Sequence, residues 1–135
     1  MASRVYLLDT SIVSHLVRQP QGPVAERIAD VGEDNVVTSI IVACELRYGA
    51  AKRGSRRLTR QVEVVLSAMT ILPFESGTDR HYAAIRTALE KRGTPIGAND
   101  MLIAAQARAI GAVCVTANVA EFKRVPALRV ENWLE

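Results

Sequence analysis

Short apolar runs recur along this chain, each closed by turn-capable residues and each followed by a stretch with helical spacing. Nothing else in the sequence restricts the fold as much. Residues 5–8 form the first run, and Asp9, Thr10 and Ser11 then open a helix carrying Ile12, Val13 and Leu16. After a break at residues 19–23, Val24, Ile28 and Val31 space as a second helix closed by Gly32. Val36 and Val37 make a second strand, and Thr38 and Ser39 can cap a helix over about 40–52. Past a turn at Gly54 and Ser55, the residues Leu58, Val62, Val65, Leu66 and Met69 share one helical face. A third strand is expected over 70–74. The helix after it opens at residues 76–78 and turns Tyr82, Ile85 and Leu89 inward. Residues 93–97, with Pro95, form a loop before an alanine-rich helix from Asn99 or Asp100 to about Ile110. Strands follow at 112–116 and 128–130. Strands alternating with helices in this way predict an α/β fold, a mainly parallel central sheet flanked by helices.

With 135 residues the chain fits one domain over 1–135 and can bury a core without staples. The apolar share of 49% and charged share of 23% exclude a disordered chain. A net charge of +3 permits a polyanionic partner, while 4% aromatic residues disfavour a broad base-stacking platform. Cys44 and Cys114 lie in apolar runs, outside any C-x-x-C pair, so buried reduced thiols are expected and a zinc site is not. The opening Met1-Ala2-Ser3-Arg4 shows no leader, and no apolar run is of membrane-spanning length. The expectation is a cytoplasmic protein with no membrane partner.

Acidic residues fall where ligands bind in such folds. Asp9 ends the first strand, and parallel sheets place ligands at the carboxyl ends of their strands. Capping the next helix is the competing role for Asp9. Glu45 sits within Ile40-Ile41-Val42-Ala43-Cys44-Glu45-Leu46, where a lone buried carboxylate must be paired, protonated or metal-bound. Alternatively it reaches solvent or pairs with Arg47 or Arg53. Asp100 stands at the mouth of an apolar helix, and Asn99 could cap that helix equally well. Thr116-Ala117-Asn118-Val119-Ala120-Glu121 follows the fourth strand and brings Asn118 and Glu121 to the same rim. An all-oxygen donor set without a histidine or cysteine cluster selects Mg2+ or Mn2+, ions suited to phosphate chemistry.

Taken in order, Val5-Tyr6-Leu7-Leu8-Asp9-Thr10-Ser11, Ala43-Cys44-Glu45-Leu46-Arg47-Tyr48-Gly49-Ala50 and Asn99-Asp100-Met101-Leu102-Ile103-Ala104-Ala105 resemble the motifs of PIN-domain ribonucleases. The segments Val115-Thr116-Ala117-Asn118, Glu121-Phe122, Val125-Pro126 and Leu128-Arg129-Val130-Glu131-Asn132-Trp133 resemble the tail of VapC toxins of type II toxin–antitoxin systems. The resemblance runs nearly end to end. It implies a Rossmann-like fold and Mg2+-dependent endoribonuclease activity, with Mn2+ able to substitute. It also implies a cognate VapB-like antitoxin, a homodimer and larger toxin–antitoxin assemblies. Asp9, Glu45 and Asp100 match the family's three acidic positions, with Asp9 and Asp100 holding the metal and Glu45 completing its surroundings. Many relatives carry a fourth acid in the Thr-x-x segment, where this chain has Ala117 and Asn118. The fourth role passes to Glu121, with Thr116 and Asn118 as supporting hydrogen-bond partners.

Arg47, Lys52, Arg53, Arg56, Arg57 and Arg60 form a basic stretch uninterrupted by acids. Arg47, Arg53, Arg56 and Arg57 are candidates for gripping RNA phosphates. A solvated surface or a contact for an acidic antitoxin segment would explain them equally. His15 and His81 lack triad partners, and Ser11 and Ser39 lack a nucleophile-elbow frame. Two other functions remain open. A phosphatase would use Asp9 as nucleophile, although Ser11 stands where such enzymes carry a second Asp. A non-catalytic module would use the acids only to gather a partner's arginines.

Overall fold

The structure, a computed structural model, describes residues 4–135; Met1 to Ser3 of the expected leaderless start lie outside them. The chain forms β1 (Tyr6–Leu8), α1 (Thr10–Arg18), α2 (Pro23–Val31), β2 (Val36–Ser39), α3 (Ile40–Arg53) and α4 (Arg56–Ser67). It continues through β3 (Thr70–Leu72), α5 (Thr78–Lys91), α6 (Ala98–Ile110), β4 (Val113–Val115), α7 (Val119–Phe122) and β5 (Val130–Glu131). A single 3-10 turn, Glu33–Asn35, precedes β2.

All the strand pairings are parallel, and the sheet order is β3-β2-β1-β4-β5. The chain therefore winds outward from β1 through β2 to β3. It then crosses back to lay β4 on the other side of β1. The switch point lies between β1 and β4, where open parallel sheets form a crevice beyond their carboxyl ends. Asp9 extends that junction, because its N–H donates to the Val115 carbonyl at 3.0 Å.

The strands are short and apolar because helices cover both sheet faces. Leu7, Leu8, Val113, Cys114 and Val115 are buried, as are Ile103, Ala104, Ala105 and Ala107 of α6. Small residues on α6 let that helix sit close to its neighbours. Hydroxyls set several helix starts: Ser39 accepts from Ile41 N–H to cap α3, and Ser55 accepts from Leu58 N–H to cap α4. Thr38 is not a cap; its hydroxyl donates to the Leu8 carbonyl at 2.8 Å, tying β2 to β1.

Three expectations need correction in detail, and one segment left unassigned by the sequence is helical. The third strand stops at Leu72 because Pro73 has no N–H with which to continue a ladder. The fifth strand is displaced to Val130–Glu131, where it pairs with Cys114 and Val115. One turn of helix, α7, occupies the segment after β4. Cys44 is exposed, while Cys114 is buried as expected. The run around Cys44 is apolar, but Ile40, Cys44 and Tyr48 recur every four residues on the outer face of α3, with Tyr48 66% exposed.

Candidate active site

The acids arrive at the switch point from four different elements. Asp9 follows β1, Glu45 lies in α3, Asp100 sits in the first turn of α6, and Glu121 in the first turn of α7. Their convergence shows in the electrostatics of Asp100. Its carboxyl is pushed up to about 6 by burial first, and then by the negative charges of Asp9, Glu121 and Glu45. The other three candidate carboxylates therefore all act on Asp100.

Asp9 is 1% exposed. Burial raises its pKa, opposed by the hydroxyls of Ser11 and Thr116 and by the backbone N–H groups of Ile12 and Ser11. Its Oδ1 accepts from Ser11 Oγ at 2.7 Å and from Ile12 N–H at 3.1 Å. The capping role is thus real, and it coexists with a place in the acid cluster. Ser11 also accepts from the Ala117 N–H at 3.1 Å, so one hydroxyl links the end of β1 to the loop after β4.

Glu45 pairs with neither Arg47 nor Arg53. It is half-buried, and its Oε1 accepts from the Thr10 hydroxyl. Asp100 is not an N-cap: α6 is capped by Gly97, with no side-chain hydrogen bond. A Cβ at Gly97 would stand 3.4 Å from Asp100 Oδ2, an ordinary van der Waals contact, so this carboxylate lies against the start of the helix. Thr116 is buried and accepts from the Asn118 N–H at 2.9 Å, which shapes the turn into α7. Asn118 itself is exposed and makes no side-chain capping bond.

The basic candidates divide. Arg47 forms a two-bond fork with Glu63 of α4, at 2.9 and 3.0 Å. Arg53 lies on the same side of α3 as Glu45 and lines a cleft that Glu45 also lines. Arg56 lines a shallow hollow with Arg60 at the corner between α3 and α4, and Arg57 is exposed on the first turn of α4. The structure thus brings the four acids together and draws Arg47 away into a surface ion pair. Thr10 and Ser11 are candidate site residues that the reading of the acids passed over. Their signal was present: two hydroxyls directly follow the strand-terminal acid.

Every donor here is oxygen, and among the described residues no cation pairs with the acids whose charges act on Asp100. That chemistry fits a hard divalent ion. Among the described residues, no three acidic, histidine or cysteine groups close into a ready cage. Mg2+ does not require one, because it commonly takes one or two carboxylates and keeps several waters.

The PIN domain profile matches residues 6–128. The chain belongs to the PIN-domain family. It is 40% identical over 130 residues to Ribonuclease VapC2 of Haemophilus influenzae, covering 96% of this chain and 98% of that one. It is 35% identical over 131 residues to Ribonuclease VapC2 of Rickettsia felis, at the same coverage. The solved structure of VapBC2 from Rickettsia felis bound to a DNA fragment from their promoter matches with a TM-score of 0.88 at 34% identity, covering 96% of this chain and 98% of that one. The expected parallel α/β architecture is therefore the PIN-domain fold. No helix among the described residues is long and apolar enough to cross a membrane.

Proposed function

We propose that this PIN domain is a divalent-metal-dependent endoribonuclease and the toxin of a type II toxin–antitoxin pair. The observation that carries the reading is the convergence of Asp9, Glu45, Asp100 and Glu121 on the sheet's switch point, where the charges of the other three reach Asp100. Relatives named as ribonucleases across nearly the whole chain support RNA as the substrate. Solved VapBC complexes that share the fold support an antitoxin partner. A homodimer and a larger toxin–antitoxin assembly belong to the same reading.

Asp9 and Asp100 would hold Mg2+, with Mn2+ as a substitute. Bound there, such an ion supplies an activated water and neutralises charge on the phosphoryl oxygens. The chain's own part is placement. Ser11 and the Ile12 N–H fix the Asp9 carboxylate, and Thr10 fixes Glu45. Glu45 and Glu121 accept protons or orient water beside the scissile phosphate. Thr116 and Asn118 hold the turn that presents Glu121.

The phosphatase alternative fits poorly. Asp9 is almost wholly buried, and its Oδ1 carries two hydrogen bonds, which is a poor state for an attacking carboxylate. Incubation of the purified protein with cellular RNA tests the proposal. Cleavage should require Mg2+ or Mn2+, stop with EDTA, and fall by about 10²- to 10³-fold in Asp100→Asn. Cleavage that survives both treatments would overturn the metal-dependent mechanism.

A further inference from the structure

Beside the acid cluster, α1 and α3 frame a cleft of about 310 Å³, with Leu58 and Val62 of α4 lining it as well. Its walls repeat with helical period. Thr10, Ser14 and Arg18 descend α1 at four-residue steps, and Glu45, Gly49 and Arg53 descend α3 at the same steps. Each ladder covers about 12 Å along its helix. At the upper end Thr10 and Glu45 are hydrogen-bonded to each other. At the lower end stand two exposed guanidiniums. Arg18 donates to Ser14 Oγ at 2.9 Å, and among the described residues neither Arg18 nor Arg53 pairs with a carboxylate.

Gly49 is the informative rung. It lies inside a fourteen-residue helix, where glycine weakens the helix relative to alanine. A Cβ built there meets nothing within 4 Å. No neighbouring side chain or backbone in the chain therefore requires a glycine at this position. Its effect is to keep the middle of the cleft open between an acidic end and a basic end.

We propose that this cleft is the subsite for the RNA strand flanking the scissile phosphate, with Arg18 and Arg53 each on a neighbouring phosphate and Gly49 admitting the sugar–phosphate backbone. The inference rests on the ribonuclease reading and deepens it. Polarity supports the assignment. The scissile phosphate belongs at the acid cluster, and the next phosphates along the strand need cations within a few ångströms of that line. Arg18 and Arg53 are the cations that the fold places there, whereas Arg47 is engaged by Glu63.

The test uses the full chain and a short single-stranded RNA, with EDTA present to prevent cutting and binding followed by fluorescence anisotropy at several salt concentrations. Arg18→Ala and Arg53→Ala should each weaken binding by about tenfold, the scale of a charge-assisted hydrogen bond. Each should also flatten the salt dependence by about 0.7 in the slope of log K against log salt. Gly49→Ala should keep or raise the melting temperature while weakening RNA binding several-fold, and Gly49→Leu should weaken it further. A merely structural glycine would give the opposite pairing. If wild-type protein cuts RNA and these variants bind it with unchanged affinity and slope, the subsite is wrong and the ribonuclease reading stands. If the variants lose antitoxin binding yet keep RNA binding, the cleft is a protein-docking groove and the proposal falls. If the wild type neither binds nor cuts RNA with Mg2+ or Mn2+, the ribonuclease reading itself fails.

Discussion

The Thr10 hydroxyl on α1 donates to the Glu45 carboxylate on α3, so the residue directly after one acid of the cluster holds another that lies 35 positions on. The bond spans the two helices that leave β1 and β2, the strands paired through Tyr6–Val36 and Leu8–Thr38. Among the described residues Glu45 has no cation partner, so this hydroxyl is what fixes its orientation. Thr10→Val keeps the shape and removes the donor. We expect RNA cleavage to fall by about tenfold to a hundredfold, the scale of small misplacements of a catalytic group. Thr10→Ser should restore most of the loss. Steady-state rates for the three proteins, with unchanged circular dichroism, check this; equal rates for the valine and serine variants would remove the positioning role.

Asp100 makes the folded chain sensitive to pH in a defined direction. Its carboxyl titrates near 6 when folded, against an ordinary value of 3.8. Between those values the folded state binds more protons than the unfolded state. Stability contributed through Asp100 is therefore greatest below pH 4 and declines as pH rises through 6. Asp9 acts in the same direction, since burial raises its pKa too. Asp100→Asn should stabilise the metal-free protein at neutral pH by about 1 to 2 kcal/mol, after allowance for solvent screening of a half-buried group. Cleavage should meanwhile drop by about 10²- to 10³-fold, as for the loss of one preorganised electrostatic group. Melting curves at pH 4.5 and 7, for both proteins, give the comparison. A wild type more stable at pH 7 than the asparagine variant contradicts the crowded-acid description.

The alternation of strands and helices was readable because β1, β2 and β4 are short apolar runs closed by Asp9, Ser39 and Thr116, and helices such as α1, α4 and α5 carry a 3.6-residue apolar stripe. Strand order was not readable. Only the crossover that sets β4 beside β1 brings Glu121 and Asp100 to Asp9. The four-residue turn α7 is too short to show a period. Cys44 misled for a related reason: its neighbours are apolar, but hydropathy does not say which apolar residues of a helix face the core. Glu45 drew attention as an acid within an apolar run, and the structure places it at the edge of the core. The pairing of Arg47 with Glu63 joins two helices across 16 positions and has no local signature.

The two cysteines provide a direct check on the orientation of α3. Cys44 is exposed and Cys114 is buried in β4. Burial, followed by the charges of Asp9 and Asp100, also raises the Cys114 pKa well above the ordinary thiol value. A thiol reagent should therefore modify Cys44 alone in the native protein and reach Cys114 only after denaturation. Quantified with a chromogenic disulfide, one thiol reacts fast and the second waits for guanidinium. Fast reaction of both would mean that β4 is not the buried centre of the sheet.

Arg47 and Arg53 lie six residues apart on α3, yet they should behave differently. Arg47 is forked onto Glu63, and each partner shifts the other in the expected sense: the Glu63 hydrogen bond raises the guanidinium above its ordinary value, and Glu63 is held below its ordinary carboxylate value by the Arg47 hydrogen bond. Both groups are about half exposed, so the pair is a surface contact that adds little to stability. Arg47→Ala should then change RNA affinity less than about twofold, in keeping with the small contribution of exposed ion pairs. Glu63→Gln gives the complementary measurement. By releasing Arg47 it should strengthen RNA binding slightly at low salt, and the gain should fade as salt rises. Anisotropy titrations of both variants at two salt concentrations decide the matter. A large loss on Arg47→Ala, comparable to that for Arg53→Ala, would show that RNA pulls Arg47 away from Glu63 on binding.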